Sequence, residues 1–184
     1  SGDGGIVTTT NEEIYKKIKK QSWYGIDRDT KKTSILDPLP ASPDGLGFKS
    51  NMNDITATLG CVAIDYLDTA LKRRHELGQR YREELSSLSK VKLLDYKSYW
   101  KPNYQIFPIH VVDRDKFAYF MWDRNIQVNI NNRRNDLYNI FGGLCDLPNL
   151  KKVDEDIILI PIHNDLTDYD VTRIIEAIKE YDII

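Results

Sequence analysis

Between residues 53 and 85 the apolar side chains recur at helical spacing, and no other regular pattern in the chain runs as long. Ile55, Leu59, Val62, Ala63, Tyr66, Leu67 and Ala70 follow a 3.6-residue period, continued by Leu71, Leu77, Tyr81 and Leu85. Arg73, Arg74, Glu76, Arg82, Glu83 and Glu84 fill the opposite face. Asn53 or Asp54 is placed to cap the first turn, because a short polar side chain there accepts a hydrogen bond from an otherwise unpaired backbone N–H. Gly78 interrupts the pattern, and glycine inside a helix costs about 1 kcal/mol relative to alanine. A bend is therefore predicted at Gly78, within a long helix or helix pair that links two domains.

The segments on either side differ in kind. Ahead of the helical stretch, Gly2-Asp3-Gly4-Gly5 makes a glycine turn, and the β-branched run from Ile6 to Thr10 suits the end of a strand. Thr10 or Asn11 can cap a short helix with Glu12 and Glu13 in its first turn and Ile14 and Ile18 on one face. Residues 25–47, with Pro38, Pro40, Pro43, Gly45 and Gly47, read as a long irregular loop suited to covering a site or reaching a neighbouring subunit. Beyond Ser89 short strands are expected at 91–94, at 104–112 and at 157–162. In the second of these, Pro108 suggests an edge or a bulge. Asp113 or Asp115 is expected to cap a helix burying Phe117, Phe120 and Met121. Ile126, Val128 and Ile130 alternate as in a half-buried strand, and residues 131–149 read as a polar loop. Thr167 and Asp170 have the spacing of a reciprocal cap before a helix buried through Val171, Ile174, Ile175 and Ile178. The order from residue 90 onward describes a small α/β sandwich.

Charge and composition exclude several classes. Twenty-six basic against 28 acidic residues leave a formal net charge of -2, unlike the basic face that a nucleic-acid binder needs. The Lys16-Lys17 and Lys19-Lys20 pairs lie on the short helix and read as its solvated face. Two cysteines, Cys61 and Cys145, make neither a disulfide framework nor a zinc site. His163 and Asp165 lack a third ligand nearby. No apolar run approaches the ~20 residues of a membrane span. A reduced, cytoplasmic protein with no membrane or nucleic-acid partner is expected.

Three segments carry residues suited to chemistry. Gly47-Phe48-Lys49-Ser50-Asn51-Met52-Asn53-Asp54-Ile55-Thr56-Ala57-Thr58-Leu59-Gly60 puts a polar turn with two donor side chains at a helix N-terminus, where free N–H groups favour anions. Asn129-Ile130-Asn131-Asn132-Arg133-Arg134-Asn135-Asp136-Leu137-Tyr138 places adjacent guanidiniums among amides, a grouping suited to a diphosphate. Trp23-Tyr24-Gly25-Ile26-Asp27-Arg28 is an aromatic pair at a helix end, with Gly25 as the expected C-cap.

These segments, in this order and together with the Gly2-Asp3-Gly4-Gly5 turn, resemble the DegT/DnrJ/StrS family of pyridoxal-phosphate-dependent nucleotide-sugar aminotransferases. Weaker matches are Trp100 to Val112, similar to the family's W-x-x-[YF]-x-I-x-V strand, and Leu159 to Thr167, similar to L-P-[LM]-[HY]-x-x-[LM]-T. The resemblance implies fold-type I, an α/β fold like that of aspartate aminotransferase. Residues 1–50 would be the C-terminal part of the large cofactor-binding domain, 51–89 the linking long helix and 90–184 the small C-terminal α/β domain. In the family the Schiff-base lysine precedes the glycine turn, and the residues that pair with and stack on the cofactor ring lie earlier still. The chain is accordingly expected to be the C-terminal portion of such an enzyme, with no catalytic residue of its own assigned. The resemblance further implies a homodimer, glutamate as amino donor and a nucleotide-linked keto-sugar as acceptor. Lys49 and Asn51 fall at positions contacting the cofactor phosphate of the partner subunit, although the family asparagine matches Lys49. Asn132, Arg133 and Arg134 fall on the sugar-nucleotide loop, with Asn132 where the family has histidine. Two alternatives remain open: a non-catalytic module that binds sugar nucleotides or dimerises, and part of a related sugar dehydratase.

Overall fold

Short-range sequence signals set most helix starts in the computed structural model, which describes residues 4–30, 43–130 and 133–184. The chain divides into two compact units, Ser1–Tyr66 and Leu67–Ile184.

In the first unit Asn11 caps helix α1 (Glu12–Gln21), its Oδ1 accepting the N–H groups of Glu13 and Ile14 at 2.9 and 3.0 Å. Helix α2 (Asp54–Asp65) starts at Asn53, whose Oδ1 accepts the Thr56 N–H at 2.9 Å. It ends at Tyr66, whose N–H turns back onto Ala63 and Ile64. Residues 6–10 form no strand: Ile6 and Val7 are exposed, and no described segment pairs with them. β-branched composition cannot make a strand without a neighbour to satisfy its backbone. No apolar side chain of this unit is buried among the described residues, and the α2 stripe is open, with Ile55 78% and Leu59 54% exposed.

The second unit holds the core. Helix α3 (Leu67–Leu85) buries Leu77, Gly78, Tyr81 and Leu85 along one face. The helix runs unbroken through Gly78. What occupies the space is the Tyr104 ring. A Cβ on Gly78 would lie 2.7 Å from three of its carbons, so the glycine serves close packing instead of flexibility. The strands β1 (Val91–Leu93), β2 (Phe107–Val111) and β3 (Ile157–Ile160) form an antiparallel sheet in the order β1-β2-β3. Phe107, Ile109 and Val111 alternate into the core, where Tyr81 lies 5.1 Å from Phe107 between ring centroids.

Pro108 therefore sits in the central strand, not at an edge or a bulge. Val112 N–H donates to Lys90 O, so the even-numbered residues of β2 direct their N–H groups toward β1. The last β1 pairing is Leu93 with Ile109, and the donor Pro108 lacks would point past the end of that strand.

Helices α4 (Arg114–Trp122) and α6 (Asp168–Ile183) complete the core with Phe117, Met121 and the Val171-to-Tyr181 stripe of α6. Asp113 precedes α4 in the left-handed region, φ 54°, and its side chain makes no capping bond; nor does Asp115 replace it. The Thr167–Asp170 reciprocal cap forms as the spacing predicts. Ile126 to Ile130 makes only an isolated bridge, Asn129 with Leu159, in place of a strand. The following segment contains helix α5 (Pro148–Asp156), with proline at its first position. The start of β1 is tied to the end of α6: Asp182 accepts the N–H groups of Ser89 at 3.1 Å and Lys90 at 2.6 Å, and these bonds hold its carboxyl below the usual carboxylate range.

Candidate functional site

The two function-capable motifs of the first unit meet in space. Tyr24 N–H donates to Phe48 O at 3.1 Å, Phe48 N–H to Gln21 O at 2.7 Å and Ser50 N–H to Ser22 O at 3.1 Å, with Trp23 and Lys49 as bridge partners. The end of α1 is thus laced to the turn that leads into α2. Glycine permits the approach: a Cβ on Gly47 would stand 2.0 Å from Gly25 N, and one on Gly25 2.2 Å from Gly45 O. Gly25 (φ 76°) follows Tyr24 (φ 55°), while the helix cap itself falls earlier, at Ser22. Gly25 is thereby a crossing point of backbones and still closes the helix end, its N–H donating to Lys20 O at 2.9 Å.

This lacing presents two cationic side chains beside one indole. Arg28 Cζ lies 4.8 Å and Lys49 Nζ 6.0 Å from the Trp23 ring centroid. The nearby carboxylates are engaged elsewhere. Asp29 pairs with Lys19, and Asp44 with Lys20 at 3.0 Å; each hydrogen bond raises its lysine's pKa. Lys49 and Asn51 are exposed, and neither side chain has a hydrogen bond or ion pair among the described residues. At the adjoining helix start, Asn53 satisfies Thr56 N–H through Oδ1 and Ala57 N–H through its carbonyl. The N–H groups of Asp54 and Ile55 remain without a helical acceptor.

A second cluster lies in the other unit. Asn132 falls outside the described residues. Arg133 is exposed, its guanidinium 5.7 Å from the Tyr138 ring. Arg134 forms a two-pronged pair with Asp136, Nη2 to Oδ2 at 2.6 Å and Nε to Oδ1 at 3.0 Å. Both side chains are nearly covered, at 9% and 7% exposure. The guanidinium beside it, helped by Cys145 N–H at 3.4 Å, holds the Asp136 carboxyl below its usual range. Arg133, Arg134 and Asp136 line a cleft of about 550 Å³ with Ile130, Phe141 and Leu150. The two arginines are therefore unlike: Arg134 is paired within the loop, and Arg133 is exposed with no ion pair among the described residues. The role of Asp136 was not legible in the sequence, because an arginine and an aspartate two residues apart pair only in a loop conformation that local spacing does not specify. No cluster of three His, Cys, Asp or Glu side chains suited to a metal occurs among the described residues.

The profile of the DegT/DnrJ/EryC1/StrS aminotransferase family matches residues 1–179. The chain belongs to this family, and its fold is that of the fold-type I sugar aminotransferases. It is 30% identical to the uncharacterised protein MJ1066 of Methanocaldococcus jannaschii, over 98% of this chain and 50% of that protein. With the dTDP-4-amino-4,6-dideoxy-D-glucose transaminase of Shigella dysenteriae it shares 21% identity, over 97% of this chain and 48% of the relative. The sugar aminotransferase CalS13 of Micromonospora echinospora superposes with a TM-score of 0.84 at 24% identity, covering 92% of this chain and 45% of CalS13. The chain spans about half the length of the curated relatives it matches.

Proposed function

We propose that this chain is the C-terminal portion of a pyridoxal-phosphate-dependent aminotransferase that moves an amino group from glutamate to a nucleotide-linked keto-sugar. The observation that carries the reading is the lacing of the Trp23–Arg28 segment to the Gly47–Ser50 turn, in a chain whose family match runs through both. The donor set suits a phosphate monoester: an unpaired ammonium on Lys49, the Asn51 amide, and free N–H groups at the start of α2. Lys49 and Asn51 would hold the phosphate of pyridoxal phosphate, contributed across a homodimer. The cofactor, when bound, supplies an electron sink for proton removal from the amino-bearing carbon. Arg133, with Asn132, would receive the substrate diphosphate, and Arg134 would keep that loop in place through Asp136.

One feature supports assembly with further protein surface. The apolar stripe of α2 is uncovered within its own unit, and exposed stripes of this size mark interaction sites. The backbone at Gly25 and Gly47 is held by close approach, which fixes the main chain that carries Lys49. No helix among the described residues is long and apolar enough to cross a membrane. The reading is tested with the complete gene product carrying this chain, given pyridoxal phosphate, ¹⁵N-glutamate and a nucleotide-linked keto-sugar. Mass spectrometry is expected to find ¹⁵N in the sugar. Absence of both nitrogen transfer and a cofactor absorbance shift would refute it.

A further inference from the structure

We infer that His110 is a positioning residue for the substrate cleft, acting through its hydrogen bond to Asp156 at the end of α5. The inference rests on the reading of the Arg133–Arg134 loop as the place where the sugar nucleotide binds. Helix α5 is a wall shared by two clefts of the second unit. Leu150, Val153 and Asp154 line the cleft that holds Arg133 and Arg134. Lys152, Val153 and Asp156 line another, of about 460 Å³, beside β1 and β2.

This helix has little of its own to hold it. It is 9 residues long, and isolated helices under ~12–15 residues are marginal in water. None of its residues is buried, and Leu147 at the N-cap makes no side-chain bond. Two side chains from elsewhere in the unit secure it, both in its last turn. Arg114 Nη1 donates to the Asp154 carbonyl, and His110 Nδ1 lies 2.8 Å from Asp156 Oδ1. A carboxylate only accepts hydrogen bonds, so Nδ1 is the donor. Among the described residues no other side-chain hydrogen bond joins α5 to the rest of the unit.

Strand register places the contact at the junction of helix and sheet. His110 is the partner of Ile157, the first residue of β3, and Asp156 immediately precedes it. The bond therefore sets how α5 enters the sheet, and with it one wall of the Arg133–Arg134 cleft. The helix acts on that loop by charge as well. The hydrogen bond from Asp136 raises the Arg134 pKa, and the charges of Asp154 and Glu155 add to it. Releasing Asp156 thus disturbs both the apolar wall and the charge balance around Arg134.

The test uses the complete gene product carrying this chain, with ¹⁵N-glutamate and a nucleotide-linked keto-sugar. His110→Phe keeps a ring and removes the donor, whereas His110→Asn offers an amide N–H from a similar position. In His110→Phe, kcat/KM for the keto-sugar should fall about five- to tenfold while kcat/KM for glutamate stays at the wild-type value, and His110→Asn should restore most of the loss. Amide hydrogen exchange across residues 148–156 should quicken in the same variant. Should His110→Phe fail to fold, Asp156→Ala cuts the bond at a side chain already 37% exposed and should give the same selective loss. Unchanged kcat/KM for the keto-sugar, with nitrogen transfer intact, overturns the positioning role and leaves the proposed function standing. Equal losses for both substrates, or no rescue by asparagine, show general damage and also overturn it. A wild-type enzyme that transfers no nitrogen to the sugar removes both readings.

Discussion

Replacing Gly78 with alanine should destabilise the protein even though the position is helical. Alanine gains about 1 kcal/mol over glycine in helix propensity. The added Cβ, however, falls 2.7 Å from Cγ, Cδ1 and Cε1 of Tyr104. Carbon atoms rest at roughly 3.5–4.0 Å, so ring or helix must shift by about 1 Å. Tyr104 has little room to yield. It is 3% exposed, stacks on Phe107 at 18° and 5.9 Å, and meets the edge of His75 at 5.5 Å. Its backbone is pinned too, at φ 48° with its carbonyl accepting Arg74 Nη1 at 3.1 Å. Overpacking of this kind costs about 1–3 kcal/mol, so the net loss is about 1 kcal/mol after the propensity gain. Urea denaturation followed by circular dichroism measures it. In a Tyr104→Ala background the clash is gone, and Gly78→Ala should become stabilising. A Gly78→Ala protein at least as stable as the wild type in the Tyr104 background would refute the packing argument.

Other substitutions bear on the same forces. Gly60 lies in α2 with no heavy atom within 4 Å of an added Cβ, so Gly60→Ala should gain about 1 kcal/mol in the same denaturation assay. Gly47→Ala places a Cβ 2.0 Å from Gly25 N and should release the turn from α1, seen as faster hydrogen exchange at the Phe48 and Ser50 amides; unchanged exchange would count against the lacing. On acidification, Asp136, Asp170 and Asp182 should each withdraw stability, because their folded pKa values lie below the ordinary 3.8. The native state then binds fewer protons than the unfolded one, so their stabilisation is complete above the unfolded value and disappears as pH falls through the folded value. Asp182→Asn should flatten part of that acid slope in denaturation midpoints taken from pH 6 downward, and an unchanged slope would contradict its capping role.

The sequence was most legible where structure is decided within a few residues. The Asn11 and Asn53 caps, the reciprocal Thr167–Asp170 cap and the stripes of α3 and α6 all follow from local spacing. The packing role of Gly78 was not legible because it is set by a ring 26 positions later, which propensity cannot register. Pro108 misled because β1 stops one pairing short of it. The alternation at 126–130 predicted a strand, but only Asn129 finds a partner. Helix α5 escaped notice because it carries only two apolar side chains at helical spacing, Leu150 and Val153, too short a stripe to stand out in the sequence. In the candidate site, Lys49 and the Trp23–Arg28 run were each visible as separate motifs. Nothing local says that they pair, since the bridge joins residues 26 positions apart through a close contact of glycines.

The phosphate role of the α2 turn is tested most directly by comparing pyridoxal phosphate with pyridoxal, which lacks only the phosphate. Affinities of both for the complete gene product carrying this chain, wild type and Lys49→Gln, isolate what the turn contributes. The phosphate ester should bind at least tenfold more tightly than pyridoxal, with most of that advantage lost in Lys49→Gln. Equal affinities in the wild type, or an advantage untouched by the substitution, would contradict a cofactor-phosphate site at this turn.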